Sequence, residues 1–378
     1  MRKVLIFTAS TGGGHNQAAK SLSSKLQEYD YEVVVVDILK LTNKVMEKVV
    51  VEGYEILSCS LPIVYRGLYK YSNKKFINTR LSKYIFKIFK RKIYKSIREV
   101  NPDLIVGTHP FIVNIVSGLK RKKRIFMPFI SIVTDFKAHS SYFGECVDAY
   151  ITGSEYTNMG MIDKGIEADK LYCYGIPIRQ DFLFDNPNIQ VDDKKDLTVL
   201  LMGGSMGITA IEEVLEGLVN CEGRLKINVV CGNNKVLFNR MKSKYSEARK
   251  DKEINIYGFT NEISNLMDRS DILISKPGGL TVSEAIAKRL PILIPYMLPG
   301  QEEENAEFLS ESGIAMIIKD IEEIDNLVGD LIDNPENLKK MKKNMDNIAK
   351  CYSIDSIIDL GEELINKYEK AYALQKAE

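Results

Sequence analysis

The stretch from Asp271 to Asn305, DILISKPGGLTVSEAIAKRLPILIPYMLPGQEEEN, constrains the fold more than any other part of the chain. Asp271 to Ser275 is a short apolar run of strand character, and Pro277-Gly278-Gly279 breaks it. Leu280 to Lys288 then has helical spacing, with Thr281, Val282, Ser283 and Glu284 in its first turn. A strand, a glycine turn and a helix start together make an anion site. The first N–H groups of the helix lack partners, and the helix dipole favours negative charge. Gly278 and Gly279 let a phosphate approach the backbone, so a diphosphate lying along Gly278, Gly279, Leu280 and Thr281 is the natural occupant. Glu284 is placed to accept hydrogen bonds from a ribose diol beside it. A second apolar run, Pro291 to Tyr296, leads into Pro299-Gly300-Gln301-Glu302-Glu303-Glu304-Asn305. Gln301, Glu302 and Asn305 have one-turn spacing at the start of another helix and suit the hydroxyls of a sugar. A plain βαβ turn would explain one glycine pair, with Glu284 as a stabilising charge. Two such segments at this spacing argue for a binding site.

With 378 residues the chain should hold two domains, since a single core rarely grows past about 250–300 residues. No apolar run approaches the roughly 18 residues of a membrane span. Met1 to Phe7 runs directly into a polar glycine loop and reads as a first strand, not a signal peptide. The six cysteines are scattered without a CxxC pair, which fits a reducing cytosol and argues against structural zinc. Three histidines leave little for a metal site, and none is expected. The net charge of +1 hides an asymmetry: residues 1–190 hold 28 Lys+Arg and 18 Asp+Glu, so +10, and the remainder 24 and 33, so −9. The first half is therefore expected to meet an anionic surface.

Taken in order, Lys3 to Ser10 is a strand, Thr11-Gly12-Gly13-Gly14-His15-Asn16 a glycine loop, Gln17 to Tyr29 a helix and Glu32 to Asp37 a strand. The loop lacks the GxGxxG spacing, and no Walker A lysine follows, so dinucleotide and ATP readings are weak. His15 stands at the helix mouth, with Gly13 and Gly14 before it. Between Arg66 and Arg98 no acidic residue occurs, while basic residues including Lys87, Lys90, Arg91 and Lys92 alternate with Phe76, Tyr84, Phe86, Phe89 and Tyr94. Arg66, Lys87, Lys90, Arg91 and Lys92 are expected to dock on an anionic membrane. A helix packed on its own domain with a solvated basic face is the plainer alternative. RNA binding ranks lower, because no recognition module accompanies the charges. Further strands end at Thr108-His109, at Thr134-Asp135-Phe136 with His139 beyond, and near Ser154. Asp185 to Asp196 is a polar linker. A second half opens at Thr198 to Met202, with Gly203-Gly204-Ser205-Met206-Gly207 as its own glycine turn. The expected domains are 1–184, a linker at 185–196, 197–352, and a helix at 353–378 that crosses back onto the first domain.

PGGxTxxEA followed by PGQExEN resembles the donor-binding half of the family 28 glycosyltransferases. PGQEEEN is most similar to the diacylglycerol glucosyltransferases and monogalactosyldiacylglycerol synthases. GGGH resembles the family's first loop, and Thr134-Asp135 with His139 resembles its TD…HxxW, with Tyr142 in place of the tryptophan. The resemblance implies an α/β, GT-B fold: two Rossmann-like domains facing across a cleft. It implies a UDP-sugar donor, UDP-glucose or UDP-galactose, with the uracil held by main chain near Phe259, at the end of a strand expected over 254–260. It implies an inverting transfer to diacylglycerol, repeated on the product where the enzyme is processive, by a protein peripheral on the inner face of the membrane. Amides around Gly204, Ser205, Gly279 and Leu280 are placed to meet the leaving diphosphate without a metal. His15 is the favoured base and Asp135 its rival or its orienting group; His139 belongs to the acceptor loop. Three rival readings stand beside this one. They are a MurG-like N-acetylglucosamine transfer to an undecaprenyl carrier, a UDP-N-acetylglucosamine 2-epimerase, and a non-enzymatic sensor of nucleotide sugars.

Overall fold

A computed structural model describes residues 1–10, 13–41, 66–67, 80–137, 139–183, 196–203, 210–245 and 251–377. Contacts divide them into two compact units. One is Met1–Arg179 with Leu298–Gln301 and Cys351–Glu378; the other is Gln180–Met297 with Glu302–Lys350. The break at Arg179 lies ahead of the polar stretch 185–196, because Ser264 Oγ donates to the Asp181 carbonyl at 2.7 Å and holds that turn in the second unit.

The first unit runs β1 (Lys3–Thr8), α1 (Gly13–Glu28), β2 (Glu32–Asp37), α2 (Arg80–Val100), β3 (Leu104–Gly107), α3 (Pro110–Arg121), β4 (Phe129–Ile132), β5 (Ala149–Ile151), α4 (Glu155–Ile162) and β6 (Leu171–Tyr172). Its sheet has the order β2-β1-β3-β4-β5-β6 with every pairing parallel. Leu5, Ile6, Phe7, Ile105, Phe129 and Ile130 are wholly buried, as unbroken apolar strands covered on both faces must be. The strand order reverses between β1 and β3, so a crevice opens at their carboxyl ends. Helix α1 begins at Gly13, earlier than its polar sequence indicates, and packs through Ala18, Ala19, Leu22 and Leu26.

Helix α2 corrects the membrane reading in part. Phe89, Ile93 and Ile97, one turn apart, point into the core of their own unit, so these apolar residues do not face lipid. Lys87, Arg91, Lys95 and Arg98 are exposed along the other side. Lys92 is diverted inward, its ammonium donating to the Leu41 carbonyl. Arg66 is exposed; residues 68–79, which carry much of the aromatic character, lie outside the described residues.

The second unit contains β7 (Asp196–Met202), α5 (Ala210–Asn220), β8 (Arg224–Val230), α6 (Lys235–Lys244), β9 (Lys252–Tyr257), α7 (Ile263–Asp268), β10 (Ile272–Ser275), α8 (Gly279–Ala287), β11 (Ile292–Ile294), α9 (Gln301–Glu311), β12 (Ala315–Ile317), α10 (Ile324–Asp333) and α11 (Pro335–Ala349). Its parallel sheet has the order β12-β11-β10-β7-β8-β9, with the reversal between β7 and β10. β7 and β10 are thus adjacent, and the Pro277-Gly278-Gly279 turn leaves β10 beside the reversal.

The last helix, α12 (Ile354–Ala377), packs on the first unit. Tyr31 donates to Glu362 at 2.6 Å, Tyr29 to Asp355 at 2.8 Å, and Tyr368 to Asp148 at 2.6 Å. Gly361 permits close approach, since a Cβ there would stand 3.0 Å from Leu104. Lys120, part of the basic run 120–124, is drawn inside by Asp148 and Tyr368. Burial lowers its pKa, and the Asp148 charge works the other way.

Candidate active site

In the first unit the crevice is built by the ends of β1, β3 and β4. Behind the helix mouth, Thr8 donates to Asn16 at 2.8 Å, Asn16 to Ser10 at 2.8 Å, and Ser10 to the Asp37 carboxylate. That chain of bonds fixes the first turn of α1 and with it His15. His15 Nδ1 lies 2.6 Å from the Thr108 carbonyl oxygen. A carbonyl only accepts, so Nδ1 carries the proton and Nε2 keeps a lone pair, which no described residue takes. Desolvation lowers the His15 pKa to about 4, against the opposing effect of the Thr108 bond. The imidazole is therefore neutral at pH 7, and more firmly so than an unperturbed histidine.

His109 stands edge-on to His15, ring centroids 4.7 Å apart. Its Nδ1 accepts from the Phe111 amide at 3.2 Å as the N-cap of α3, so its own proton sits on Nε2. Burial, then the neighbouring His15, holds its pKa well below the usual value. Thr134 Oγ1 is 3.1 Å from His15 Nδ1 and 2.9 Å from the Tyr142 hydroxyl. Burial, then the charge of the Asp135 carboxylate, raises the Tyr142 pKa well above the usual tyrosine value. Thr134 thus bridges His15 and Tyr142, and Asp135 acts on Tyr142 through its charge. The tyrosine that replaces the family's tryptophan is wholly buried, and its hydroxyl is a member of this chain. His139 caps the short turn Ser140–Tyr142, with Nδ1 2.6 Å from Ser141 Oγ, and so supports Tyr142 from below. Gln301, whose segment Leu298–Gln301 belongs to this unit, donates its amide to Asp135.

In the second unit β10 ends at Ser275, and Gly278 caps α8 without a side-chain bond. The first amide in α8 to find a carbonyl is that of Val282, which bonds Gly278 at 2.9 Å. Those of Gly279, Leu280 and Thr281 have no acceptor among the described residues and form an open anion cradle. The Ser275 hydroxyl, buried at the strand end, also has no partner among the described residues. Since α8 begins at Gly279, Glu284 lies in its second turn, not its first, and is 8 % exposed. Lys276, directly before the turn, pairs with Glu302 at 2.8 Å. Asn305 is 1 % exposed and donates to the Pro277 carbonyl at 2.9 Å, tying the second loop to the first. The buried Tyr296 hydroxyl has no described partner, and burial, then Glu302, raises its pKa.

Of the expected sugar contacts, then, Glu302 and Gln301 are engaged by Lys276 and Asp135, and Asn305 is committed to the cradle itself. Strand β9 ends at Tyr257, short of the expected 260, and the Phe259 ring is 68 % exposed in the following bend. Gly204 and Ser205 lie outside the described residues. Sequence alone does not single out Lys276, Thr108 or Thr134. The signal for Lys276 is its place as the one cation between an apolar strand and a glycine turn. Among the described residues no three His, Cys, Asp or Glu side chains gather as a metal site.

Two parallel α/β units, each with its crevice at a reversal of strand order, define the GT-B glycosyltransferase fold. MurG of Acinetobacter baumannii, 18% identical, has a TM-score of 0.68 over 96% of this chain and 99% of its own. The family model for monogalactosyldiacylglycerol (MGDG) synthase matches residues 15–178, and that for the glycosyltransferase family 28 C-terminal domain matches residues 198–357. The processive diacylglycerol beta-glucosyltransferase of Bacillus subtilis is 30% identical over 382 residues, covering 100% of this chain and 98% of that one. Its namesake in Bacillus pumilus is 30% identical over 364 residues, covering 95% and 94%. The chain belongs to the family 28 glycosyltransferases, in the group of the diacylglycerol glucosyltransferases and monogalactosyldiacylglycerol synthases.

Proposed function

We propose that the protein transfers glucose from UDP-glucose to diacylglycerol with inversion, and then to its own product, on the inner face of an anionic membrane. The observation that carries the chemistry is the fixed tautomer of His15, which presents a lone pair at Nε2. The acceptor hydroxyl gives its proton to Nε2 as its oxygen attacks C1 of the sugar. The bond from C1 to the diphosphate oxygen breaks on the opposite face, and UDP leaves with the electron pair. General-base help of this kind contributes about 10²–10⁴-fold. The charge that develops on the diphosphate suits the open amides of Gly279, Leu280 and Thr281 and the cation of Lys276, so the proposal needs no metal. The glucose preference and the repeated transfer are supported by the names of the Bacillus relatives.

The membrane part of the proposal rests on charge. Lys90 has its pKa lowered by burial and then by Lys122, Arg124 and Arg121, so α2 and the segment after α3 form one basic surface. Among the described residues no helix is long and apolar enough to cross a bilayer.

The test is incubation with labelled UDP-sugars and diacylglycerol vesicles, with and without a chelator, followed by lipid chromatography. Glucosyl- and diglucosyldiacylglycerol from UDP-glucose, unaffected by the chelator, are expected. A product formed only from UDP-N-acetylglucosamine and an undecaprenyl carrier would overturn the reading, as would no lipid product at all.

A further inference from the structure

Cys173 follows the edge strand β6, and Cys351 stands between α11 and α12. They are 178 positions apart in sequence, yet their sulfurs lie 2.7 Å from each other. Two further contacts flank the sulfurs: Ser353 N–H donates to the Tyr174 carbonyl at 2.9 Å, and Tyr352 packs on Gly175. Gly175 has φ +81, and a Cβ there would stand 2.6 Å from the Tyr352 ring, so the crossing is close-packed. The two thiols therefore meet by construction, inside the first unit, where the chain re-enters it.

We infer that Cys173 and Cys351 form a redox-modifiable dithiol, which a peroxide converts to a disulfide stapling the root of α12 to the edge of the first sheet. Cys351 attacks first. It is partly exposed, whereas Cys173 is buried, and the Cys173 S–H bond stabilises its thiolate. Cys173 is shifted the opposite way, its pKa raised by that same bond, then by burial, with the Glu155 carboxylate adding to both. The Cys351 thiolate displaces water from hydrogen peroxide after proton transfer and becomes a sulfenic acid. The Cys173 sulfur then attacks the Cys351 sulfur, a second water leaves, and the S–S bond forms. One peroxide is reduced to two waters as two thiols are oxidised to one disulfide. Neither residue belongs to the crevice of His15 or to the cradle at Gly279, so the reaction is independent of glycosyl transfer.

The experiment uses the intact chain. Wild-type protein is treated with hydrogen peroxide, denatured, alkylated, digested and analysed by mass spectrometry. A peptide pair joined through Cys173 and Cys351, two hydrogen atoms lighter than its parts and separated by dithiothreitol, is expected. The oxidised protein should melt at a higher temperature than the reduced one, because closing a long loop restricts the unfolded chain. With Cys173→Ser, oxidation should stop at the Cys351 sulfenic acid, which a dimedone label reports; with Cys351→Ser, Cys173 should stay unlabelled. Both thiols remaining free when Cys146 is already oxidised would overturn the inference. Pairing of either with another cysteine or a second chain would do the same, and a cross-link that leaves melting unchanged would remove the staple.

Discussion

His15 resists protonation because the crevice desolvates it, and a base that stays neutral has a distinctive pH profile. kcat/KM reports the free enzyme's essential groups, and a protonated imidazole cannot accept the acceptor's proton. With the pKa lowered to about 4, kcat/KM should stay level between roughly pH 6 and 8 and fall only as acid approaches that value. An acid limb near 6.5 would show the ring to be solvated in the working enzyme. His15→Ala should lose about 10²–10⁴ in turnover with UDP affinity unchanged; near wild-type turnover, with Asp135→Asn inactive, would make Asp135 the base. Tyr142→Phe removes the hydroxyl that bonds Thr134 beside His15. A net hydrogen bond is worth about 1 kcal/mol, so turnover should drop roughly fivefold while UDP titrates as before. In the second unit, Glu284→Ala should weaken UDP by about 1.5–3 kcal/mol, the worth of a hydrogen bond to a charged group, read by calorimetry. Unchanged affinity would remove Glu284 from the nucleotide site. The sequence identifies His15 and Asp135 by their places after strands. It does not reveal that Tyr142 bonds Thr134 beside His15, because that contact depends on how a short turn folds back.

At the scale of elements, α2 shows how a pattern can be read correctly and placed wrongly. Apolar residues at one-turn spacing with basic flanks describe equally a helix on lipid and a helix on its own core. Periodicity finds the stripe and is silent about what covers it. Phe89, Ile93 and Ile97 meet protein, so on the proposed reading only the opposite, charged side is left to meet a membrane. Each Lys or Arg near an anionic surface contributes about 1 kcal/mol, and that attraction decays within a Debye length of about 8–10 Å. Changing Lys87, Lys90 and Arg91 to Ser should therefore release the protein from anionic vesicles in a sedimentation assay. Binding of the wild type should fall with salt. Equal sedimentation with neutral and anionic vesicles would sink the idea. The β10–α8 cradle is the converse case, legible almost to the residue, because an apolar strand, a Pro-Gly-Gly break and a helix start have few other ways to fold. The strand bounds near Phe259 are less so, since a β-branched run carries no mark of where pairing stops.

For the whole molecule, α12 ties the end of the chain to its beginning. Leu22, Leu26, Leu104, Val106 and Ile130 of the first unit line a small cavity with Ile357, Ile358 and Gly361 of the helix. Deleting residues 354–378 should open that apolar face, seen as increased dye binding and aggregation of the purified protein; a truncated chain that stays monomeric and melts like the full one would refute it. During synthesis the same arrangement imposes an order of events. Most of the first unit is made before the second, yet the helix that covers it is made after the second. At about 5–20 residues per second the roughly 170 intervening residues take about 9–34 s. For that interval the nascent first unit presents an uncovered apolar face, so it is a natural client for a chaperone, begun before the second unit and completed only after it.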